Sequence, residues 1–297
     1  MKPADRQAVT ADGVLVATTA VWGASFVVVK DAVVHADALT FLALRFALGA
    51  LALTLVARGT LADRALWRSG GLLGVLLFLG FFTQTAGLQL TTPSRSGFLT
   101  GLSVLLVPFV SLLLFRRWPS PPVLLGVMLA GVGLWFLTGG LTGASGDTAR
   151  GDLLTVACAV AFAFHIVLLE PAAKRFPPVP LVASHLWTVA ALSELALFVA
   201  PGHLTPTPGF WAAVAFAGLL SSAGCILAQT WAQARTTAVR AALIFALEPV
   251  FAAAFSVAVG RERLGTRELV GGSLIVLGIV AAELGSALWT RRRPLPL

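Results

Sequence analysis

The chain has 297 residues, of which 58% are hydrophobic and only 11% are charged. Soluble domains carry about 25% charged residues, so this composition excludes an ordinary soluble protein. The net charge of +8 does not indicate nucleic-acid binding, because the cations lie at the ends of apolar runs and form no continuous face.

Ten apolar runs follow one another along the chain, and each is long enough to cross about 30 Å of hydrocarbon as a helix. In chain order they cover about residues 13–34, 39–57, 70–90, 95–115, 121–139, 152–170, 180–200, 210–232, 239–259 and 269–289. Since these runs lack the alternation of β-strands, we expect an all-α integral membrane protein with ten transmembrane helices. The glycine-rich residues 139–151 are predicted to form a flexible linker between two halves.

The two halves repeat one pattern at a constant offset of 145 residues. This offset places Gln84, Thr85, Thr91, Thr92, Arg95, Ser111, Arg116, Gly126 and Gly133 in register with Gln229, Thr230, Thr236, Thr237, Arg240, Ser256, Arg261, Gly271 and Gly278. Because each half has an odd number of spans, the two copies must point in opposite directions. The sequence therefore predicts two inverted five-helix repeats, 1–138 and 152–290, which is the build of a transporter.

The distribution of Lys and Arg predicts the orientation of the chain in the membrane. With the N-terminus in the cytoplasm, 14 of the 21 cations lie on inner segments, 6 lie on outer segments, and Arg45 lies within a span. We therefore expect a multi-pass protein of a bacterial inner membrane with both termini in the cytoplasm.

Several short motifs occur in a characteristic order. They are Val21-Trp22-Gly23 with Phe26 and Lys30, Arg45, Glu248-Pro249-Val250, and Gly260-Arg261-Glu262-Arg263-Leu264. In order and spacing the chain resembles EamA-type carriers of the drug/metabolite transporter superfamily, among them bacterial exporters of amino acids and other metabolites. The resemblance implies ten helices in two inverted halves around a central cavity, and outward movement of small metabolites. One departure is that span one has no embedded glutamate, which argues against proton exchange centred there.

Ionisable groups at membrane depth are costly, so they are candidates for function. Arg45, early in span two, can bind a carboxylate with two parallel hydrogen bonds; alternatively it extends to the interface or pairs with Asp37 or Glu194. Glu248 lies near the middle of span nine, where Pro249 is expected to kink the helix. Its carboxyl group can carry a proton or meet a substrate ammonium, and the alternative is a buried structural pair.

Amides and tryptophans supply the other predicted site residues. Gln84 and Gln229 are repeat partners that suit a polar or zwitterionic solute, and an interhelical hydrogen bond is the alternative. Trp22 and Trp187 lie within spans and are predicted cavity walls, with packing as the alternative. Threonines before Arg95 and Arg240 are predicted to cap spans four and nine, which places the two arginines near opposite mouths of the pathway.

The sequence shows no nucleophile–base set, no metal-ligand spacing and no phosphate-binding loop, so neither an enzyme nor a cofactor or metal is expected. We predict a secondary carrier, probably the wrong word for an exporter of amino acids alone, since drug-like and lipid-linked cargo remain alternatives. A non-transporting membrane protein is the more distant alternative. The expected partners are a small-molecule substrate and the lipid bilayer, and a homodimer is left open.

Overall fold

The computed structural model describes residues 3–57, 61, 63–116, 118–138, 146–261, 263 and 265–292. Most of the predicted linker (139–145) and the loop positions Arg117, Glu262 and Leu264 lie outside the described residues. The helices are α1 (Pro3–Ala32), α2 (Ala38–Ala57), α3 (Arg64–Leu90), α4 (Pro93–Gly101), α5 (Ser103–Phe115), α6 (Pro121–Thr138), α7 (Asp147–Arg175), α8 (Pro178–Val199), α9 (Pro208–Ala215), a π-helix (Phe216–Gly224), α10 (Cys225–Gln233), α11 (Ala238–Phe245), α12 (Glu248–Ala258) and α13 (Thr266–Arg292).

Eight helical segments in the described part of the chain are long and apolar enough to cross a membrane. They correspond to the first four predicted spans and to the sixth through the ninth but not the tenth. The fifth and tenth correspond to α6 and α13, whose apolar stretches Pro121–Phe136 and Leu269–Ala282 are shorter. The expected all-α architecture with many membrane-crossing helices is confirmed.

Threonine caps begin two helices at partner positions of the repeat. The Thr92 hydroxyl accepts a hydrogen bond from the Arg95 backbone N–H at 3.3 Å, and the Thr237 hydroxyl accepts one from that of Arg240 at 3.2 Å. Each cap satisfies a backbone donor that the first turn of a helix leaves open. The predicted caps of spans four and nine are therefore confirmed.

Two spans are interrupted at partner positions. Span four changes from α4 to α5 at Leu102, and span nine changes from α11 to α12 just before Glu248. The second interruption precedes Pro249, which has no N–H to continue the helix, as its position predicted. Span eight is different, because it runs from α9 to α10 through the π-helix, a form that often occurs at functional sites.

The most extensive helix contacts join different halves of the chain: α6 packs on α13, α2 on α8, and α3 on both α7 and α8. Glycines permit the closest of these approaches. A Cβ on Gly126 would lie 2.6 Å from the carbonyl oxygen of Gly278, and one on Gly133 would lie 2.6 Å from that of Gly271. The expected packing role of these glycines is confirmed.

Asp37 holds the loop between α1 and α2 against the loop that precedes α9. Its carboxylate accepts hydrogen bonds from the backbone N–H and the hydroxyl of Thr40 and from the backbone N–H of His203. Burial would raise the pKa of the Asp37 carboxyl group, but these hydrogen bonds outweigh it and lower the pKa below its ordinary value. The ionised side chain therefore stabilises this end of the helix bundle.

Candidate functional site

A cavity lies inside the bundle, between helices of both halves. Its polar lining consists of Ser25, Gln84, Thr100, Ser103, His165, Gln229 and Glu248, and its aromatic lining consists of Trp22, Phe81, Phe162 and Phe245. The cavity volume is about 50 Å³, and a single water needs roughly 10–15 Å³ by the same kind of measure. In this conformation the cavity has room for a few waters, so a metabolite can enter only if the walls move.

The lining residues come largely from partner positions of the repeat. At the offset of 145 residues, the partners are Phe81 with Ile226, Gln84 with Gln229, Thr100 with Phe245, and Ser103 with Glu248. In the first helix of each half the offset is 140 residues, which pairs Trp22 with Phe162 and Ser25 with His165. Equivalent positions thus face one space, although only one member of the Ser103 and Glu248 pair carries charge.

The two predicted amides both line the cavity. Gln84 Nε2 donates to Thr100 Oγ1 at 3.1 Å, and Gln229 Nε2 donates to Gln233 Oε1 at 2.8 Å. Gln233 in turn donates to the carbonyl of Ile166 at 3.0 Å. Each amide is therefore held by one donated bond to the protein, and its second N–H is left for a solute or water.

Glu248 is the predicted residue with the most exceptional surroundings. It is the first residue of α12, it lines the cavity, and it is only 9% exposed. Among the described residues, its carboxyl group has no hydrogen-bond donor or ion-pair partner. The first turn of α12 supplies a partial positive charge, which favours an ionised carboxylate there.

Trp22 lines the cavity beside Glu248. Its Nε1 donates to the carbonyl of Ser221 in the π-helix at 3.0 Å, and its ring centre lies 5.3 Å from that of Phe245. Gly23 allows α1 to approach α12, because a Cβ there would lie 2.5 Å from Cβ of Phe251. The indole is therefore fixed at its polar edge, and it forms an aromatic wall with Phe245.

Arg45 lies outside the cavity lining, behind Phe81. It is 2% exposed, and its Nε and Nη2 donate to Ser222 Oγ at 3.1 and 2.9 Å. Its guanidinium carbon lies 4.8 Å from the ring centres of both Phe46 and Phe81, and it forms no ion pair within the described part of the chain. The structure thus brings it close to the site without direct access to it.

Trp187 also lies outside the cavity lining. Its Nε1 donates to Thr54 Oγ1 at 2.9 Å, and its ring packs against the largest hydrophobic cluster. This bond links α8 to α2, two helices from different halves. Of the six predicted site residues, the structure brings Trp22, Gln84, Gln229 and Glu248 to one cavity and places Arg45 and Trp187 behind it.

Two ion pairs join the halves at opposite ends of the bundle. Arg95 of α4 binds both carboxylate oxygens of Asp152 of α7, with a shortest distance of 2.6 Å, and Arg240 of α11 binds Asp12 of α1 at 2.7 Å. The two aspartates are separated by the same 140 residues as the other partners in the first helix of each half. Each arginine therefore pairs with an aspartate of the opposite half, in an equivalent way.

The distance between these ion pairs follows from α1. Asp12 lies near the start of α1, whereas Lys30 lies near its end and donates to the carbonyl of Thr91, just before the Thr92 cap. Eighteen residues of helix separate the two positions, which is roughly 27 Å. We name these regions the Arg240 end and the Arg95 end, and the cavity lies between them because it is lined by the middle of α1.

His165 and His185 form a buried pair beside the cavity. Their ring centres lie 5.8 Å apart with the rings nearly perpendicular, and His165 contributes to the cavity lining. Among the described residues, Nε2 of His165 and both ring nitrogens of His185 have no hydrogen-bond partner. Their proximity across neighbouring helices α7 and α8 was one reading of the sequence, and the structure brings the two rings into contact.

Some functional positions were not singled out in the sequence. Thr100 and Ser103 line the cavity, and the offset of 145 residues from Phe245 and Glu248 is a signal that points to them. Asp12 and Asp152 had no comparable signal, because neither lies in a repeated motif of the kind that revealed the arginines.

Apolar membrane-crossing helices from two interlocked halves, which enclose a polar cavity, define a membrane transporter. The model of the EamA-like transporter family matches residues 10–139 and again residues 149–282. The chain therefore belongs to the EamA-like transporter family, of which it contains two repeats.

Two known proteins are similar to the chain over most of its length. A protein of Archaeoglobus fulgidus described as an uncharacterized transporter is 31% identical over 267 residues, which cover 89% of this chain and 82% of that protein. A solved crystal structure superposes with a TM-score of 0.77 at 21% identity, covering 94% of this chain and 99% of its own. The second likeness shows the fold alone.

Proposed function

We propose that this transporter is a secondary carrier of small metabolites and that its solute binds in the central cavity. The observation that carries the proposal is a cavity built from partner positions of both halves, with an ion pair between the halves at each end. Trp22, Gln84, Gln229 and Glu248 are the residues proposed to contact the solute. Arg45 and Trp187 are proposed to support the site from behind its wall.

The proposed architecture is ten transmembrane helices in two inverted repeats, 1–138 and 152–290. Its support is that the partner residues Arg95 and Arg240 lie at opposite ends of the bundle, whereas parallel repeats would place them at the same end. We also propose a bacterial inner membrane as the location, with both termini in the cytoplasm, because of the distribution of Lys and Arg. The Arg240 end then faces the cytoplasm.

Alternating access is the proposed mechanism. The ion pair at each end ties α4 to α7 or α11 to α1, so opening one end requires its pair to separate while the other pair persists. Breaking both at once would open a channel, and keeping both closed would trap the solute. Rocking of one half against the other gives the required exclusivity, because both pairs connect the same two halves.

The proposed cargo is an amino acid or a similar small amphiphilic metabolite that is exported from the cell. The cavity offers the combination that such a solute needs: amides and a carboxyl group for its polar part, and aromatic rings for its apolar part. Drug-like or lipid-linked cargo is the competing assignment within the same transporter class.

The test is uptake and counterflow in proteoliposomes of the full chain, with labelled amino acids and with or without a pH gradient. We expect saturable flux for at least one amino acid, and a loss of that flux in the variant Glu248→Gln. Flux that responds to the gradient would establish proton coupling. If no amino acid is transported, the amino-acid assignment fails and a panel of drug-like or lipid-linked compounds decides between the remaining cargoes.

The matched control is Glu194→Gln. It makes the same chemical change in a membrane-crossing helix, but the Glu194 side chain is exposed on the bundle surface. Unaltered flux in this control, together with lost flux in Glu248→Gln and a normal elution profile for both, would assign the defect to the cavity. Equal flux in the two variants would remove Glu248 from the site.

A further inference from the structure

We propose that the cavity selects cationic amines over anions of the same size and that Glu248 is the counter-ion of the bound amine. This inference rests on the proposed function, because it names the substrate class of the same cavity. It follows from how charge is distributed around the cavity and from which polar groups already have partners.

The first step is the balance of charge. Glu248 is the charged carboxylate of the described lining, and that lining contains no lysine or arginine. The cations that surround the site are held elsewhere: Arg45 by Ser222 and aromatic rings, Arg95 by Asp152, Arg240 by Asp12, and Lys30 by the carbonyls of residues 88, 89 and 91. A positive charge for Glu248 must therefore come from the solute or from a proton.

The second step is the lack of a protein partner for Glu248. A carboxylate that is nine-tenths buried at membrane depth is costly unless it is neutralised or paired. No described residue donates a hydrogen bond to it, whereas the buried aspartate Asp152 receives three from Arg95. The side chain thus faces the cavity with its bonding capacity unused, and an ammonium group is the chemical complement.

The third step is the aromatic wall beside this carboxylate. Trp22 and Phe245 lie in contact, and Phe245 precedes Glu248 by three residues. Aromatic faces attract organic cations, and tryptophan attracts them most strongly. The ring of Phe81 is different, because the Arg45 guanidinium already lies over it. The cation-binding corner is therefore formed by Trp22, Phe245 and Glu248.

The final step concerns where an anion would bind. The amide donors of Gln84 and Gln229 each make one bond within the protein, and the Trp22 N–H is bound to Ser221. A carboxylate would find only the remaining neutral donors and would lie in the same small space as Glu248. Like charges in that space repel, so the expected order of affinity is amine, then zwitterion, then acid.

The experiment is equilibrium binding of tritiated phenethylamine to the purified full chain in lipid nanodiscs, with competition by phenylalanine and by phenylpropionate. The three compounds share a ring and a two-carbon arm and differ in their charged groups. We expect the amine to bind more tightly than the acid by a factor on the order of ten or more. Phenylalanine should fall between them. An acid that binds as tightly as the amine, or no binding of the amine, overturns the inference.

Variants locate the selectivity. Glu248→Gln should lower the amine affinity on the order of tenfold or more and reduce its advantage over phenethyl alcohol, a neutral analogue, whereas Glu194→Gln should change neither. The ligand series on the unaltered chain remains decisive if Glu248→Gln does not fold. Transport of an anionic metabolite in the proteoliposome assay would leave the carrier proposal in place and would contradict only the amine selectivity.

Discussion

The two ion pairs between the halves differ in strength, and this difference predicts opposite effects of two similar substitutions. Asp152→Asn removes the charge that holds the Arg95 end closed, and Asp12→Asn does the same at the Arg240 end. If the pairs close opposite ends of one pathway, each substitution should open its own end and favour closure of the other.

The structure sets the size of the two effects. Arg95 and Asp152 share three hydrogen bonds of 2.6–3.1 Å and are 16% and 10% exposed, whereas Arg240 and Asp12 share one of 2.7 Å and are 36% and 23% exposed. Breaking a buried pair costs about 3–5 kcal/mol and an exposed pair contributes about 0.2–1 kcal/mol. We therefore expect about 2 kcal/mol for Asp152→Asn and about 1 kcal/mol for Asp12→Asn. These energies correspond to population shifts of roughly 30-fold and 5-fold.

The assay uses a cysteine at cavity position 103 as a reporter of access. Both native cysteines, Cys158 and Cys225, are buried and are first replaced by alanine, so that Ser103→Cys is the remaining thiol. A membrane-impermeant maleimide is then added to one side of sealed, oriented vesicles. Asp152→Asn should accelerate labelling from the Arg95 end and slow it from the Arg240 end, and Asp12→Asn should do the reverse.

Two further variants test the reasoning. Asp147→Asn should leave both labelling rates unchanged, because Asp147 and Arg150 are 76% and 80% exposed and lie 3.5 Å apart. Exchanging Arg95 and Asp152 for one another should restore the original rates. Faster labelling from both sides in Asp152→Asn would indicate general loosening of the bundle and would refute the assignment of the pair to one end.

Three more predictions concern packing, pH and symmetry. Gly126→Ala should lower the thermal unfolding temperature in detergent, at a cost of about 1–3 kcal/mol, because its methyl group meets a backbone carbonyl of α13; Gly71→Ala, with open space around it, is the control. Asp37→Ala should destabilise the chain by about 1 kcal/mol at neutral pH. Since the folded pKa of Asp37 lies below its ordinary 3.8, this difference is fully present above that value and is lost as the pH falls through the folded pKa. Moving the carboxylate to the partner position, with Ser103→Glu added to Glu248→Ser, should restore amine binding that the single variant Glu248→Ser loses.

The helices and much of the cavity could be predicted from the sequence, because both follow from patterns that are local or repeated. Long apolar runs specify membrane helices, and the threonine before each of Arg95 and Arg240 specifies a cap. The amides Gln84 and Gln229 recur at a fixed offset, so their shared location could be inferred without knowledge of helix packing.

The contacts made by the charged residues could not be predicted in the same way. Arg45 was a candidate for direct binding because of its depth, but depth does not specify which side of a helix wall a side chain occupies. The Arg95 and Asp152 pair joins residues 57 positions apart on different halves, and nothing local marks either as the partner of the other. Such pairs depend on how the halves interlock.

Repeat partners of unlike chemistry separate what the frame needs from what a ligand needs. Lys30 and Glu170 occupy positions 140 residues apart and carry opposite charges. Lys30 donates to carbonyls at the end of α3, and Glu170 accepts from the backbone N–H of Ala238 at the start of α11. Because a loop between two helices presents carbonyls of one helix and N–H groups of the next, either charge finds a complementary helix end there.

Ser103 and Glu248 differ in the opposite sense. The frame supplies a protein partner for each charge at the Lys30 and Glu170 positions, but among the described residues it supplies none for the carboxyl group of Glu248. A serine occupies the equivalent place in the first half, so the interlocked architecture does not require a charge at this position. The carboxyl group is therefore best explained by something that enters the cavity, and its sign limits that ligand to a proton or a cation.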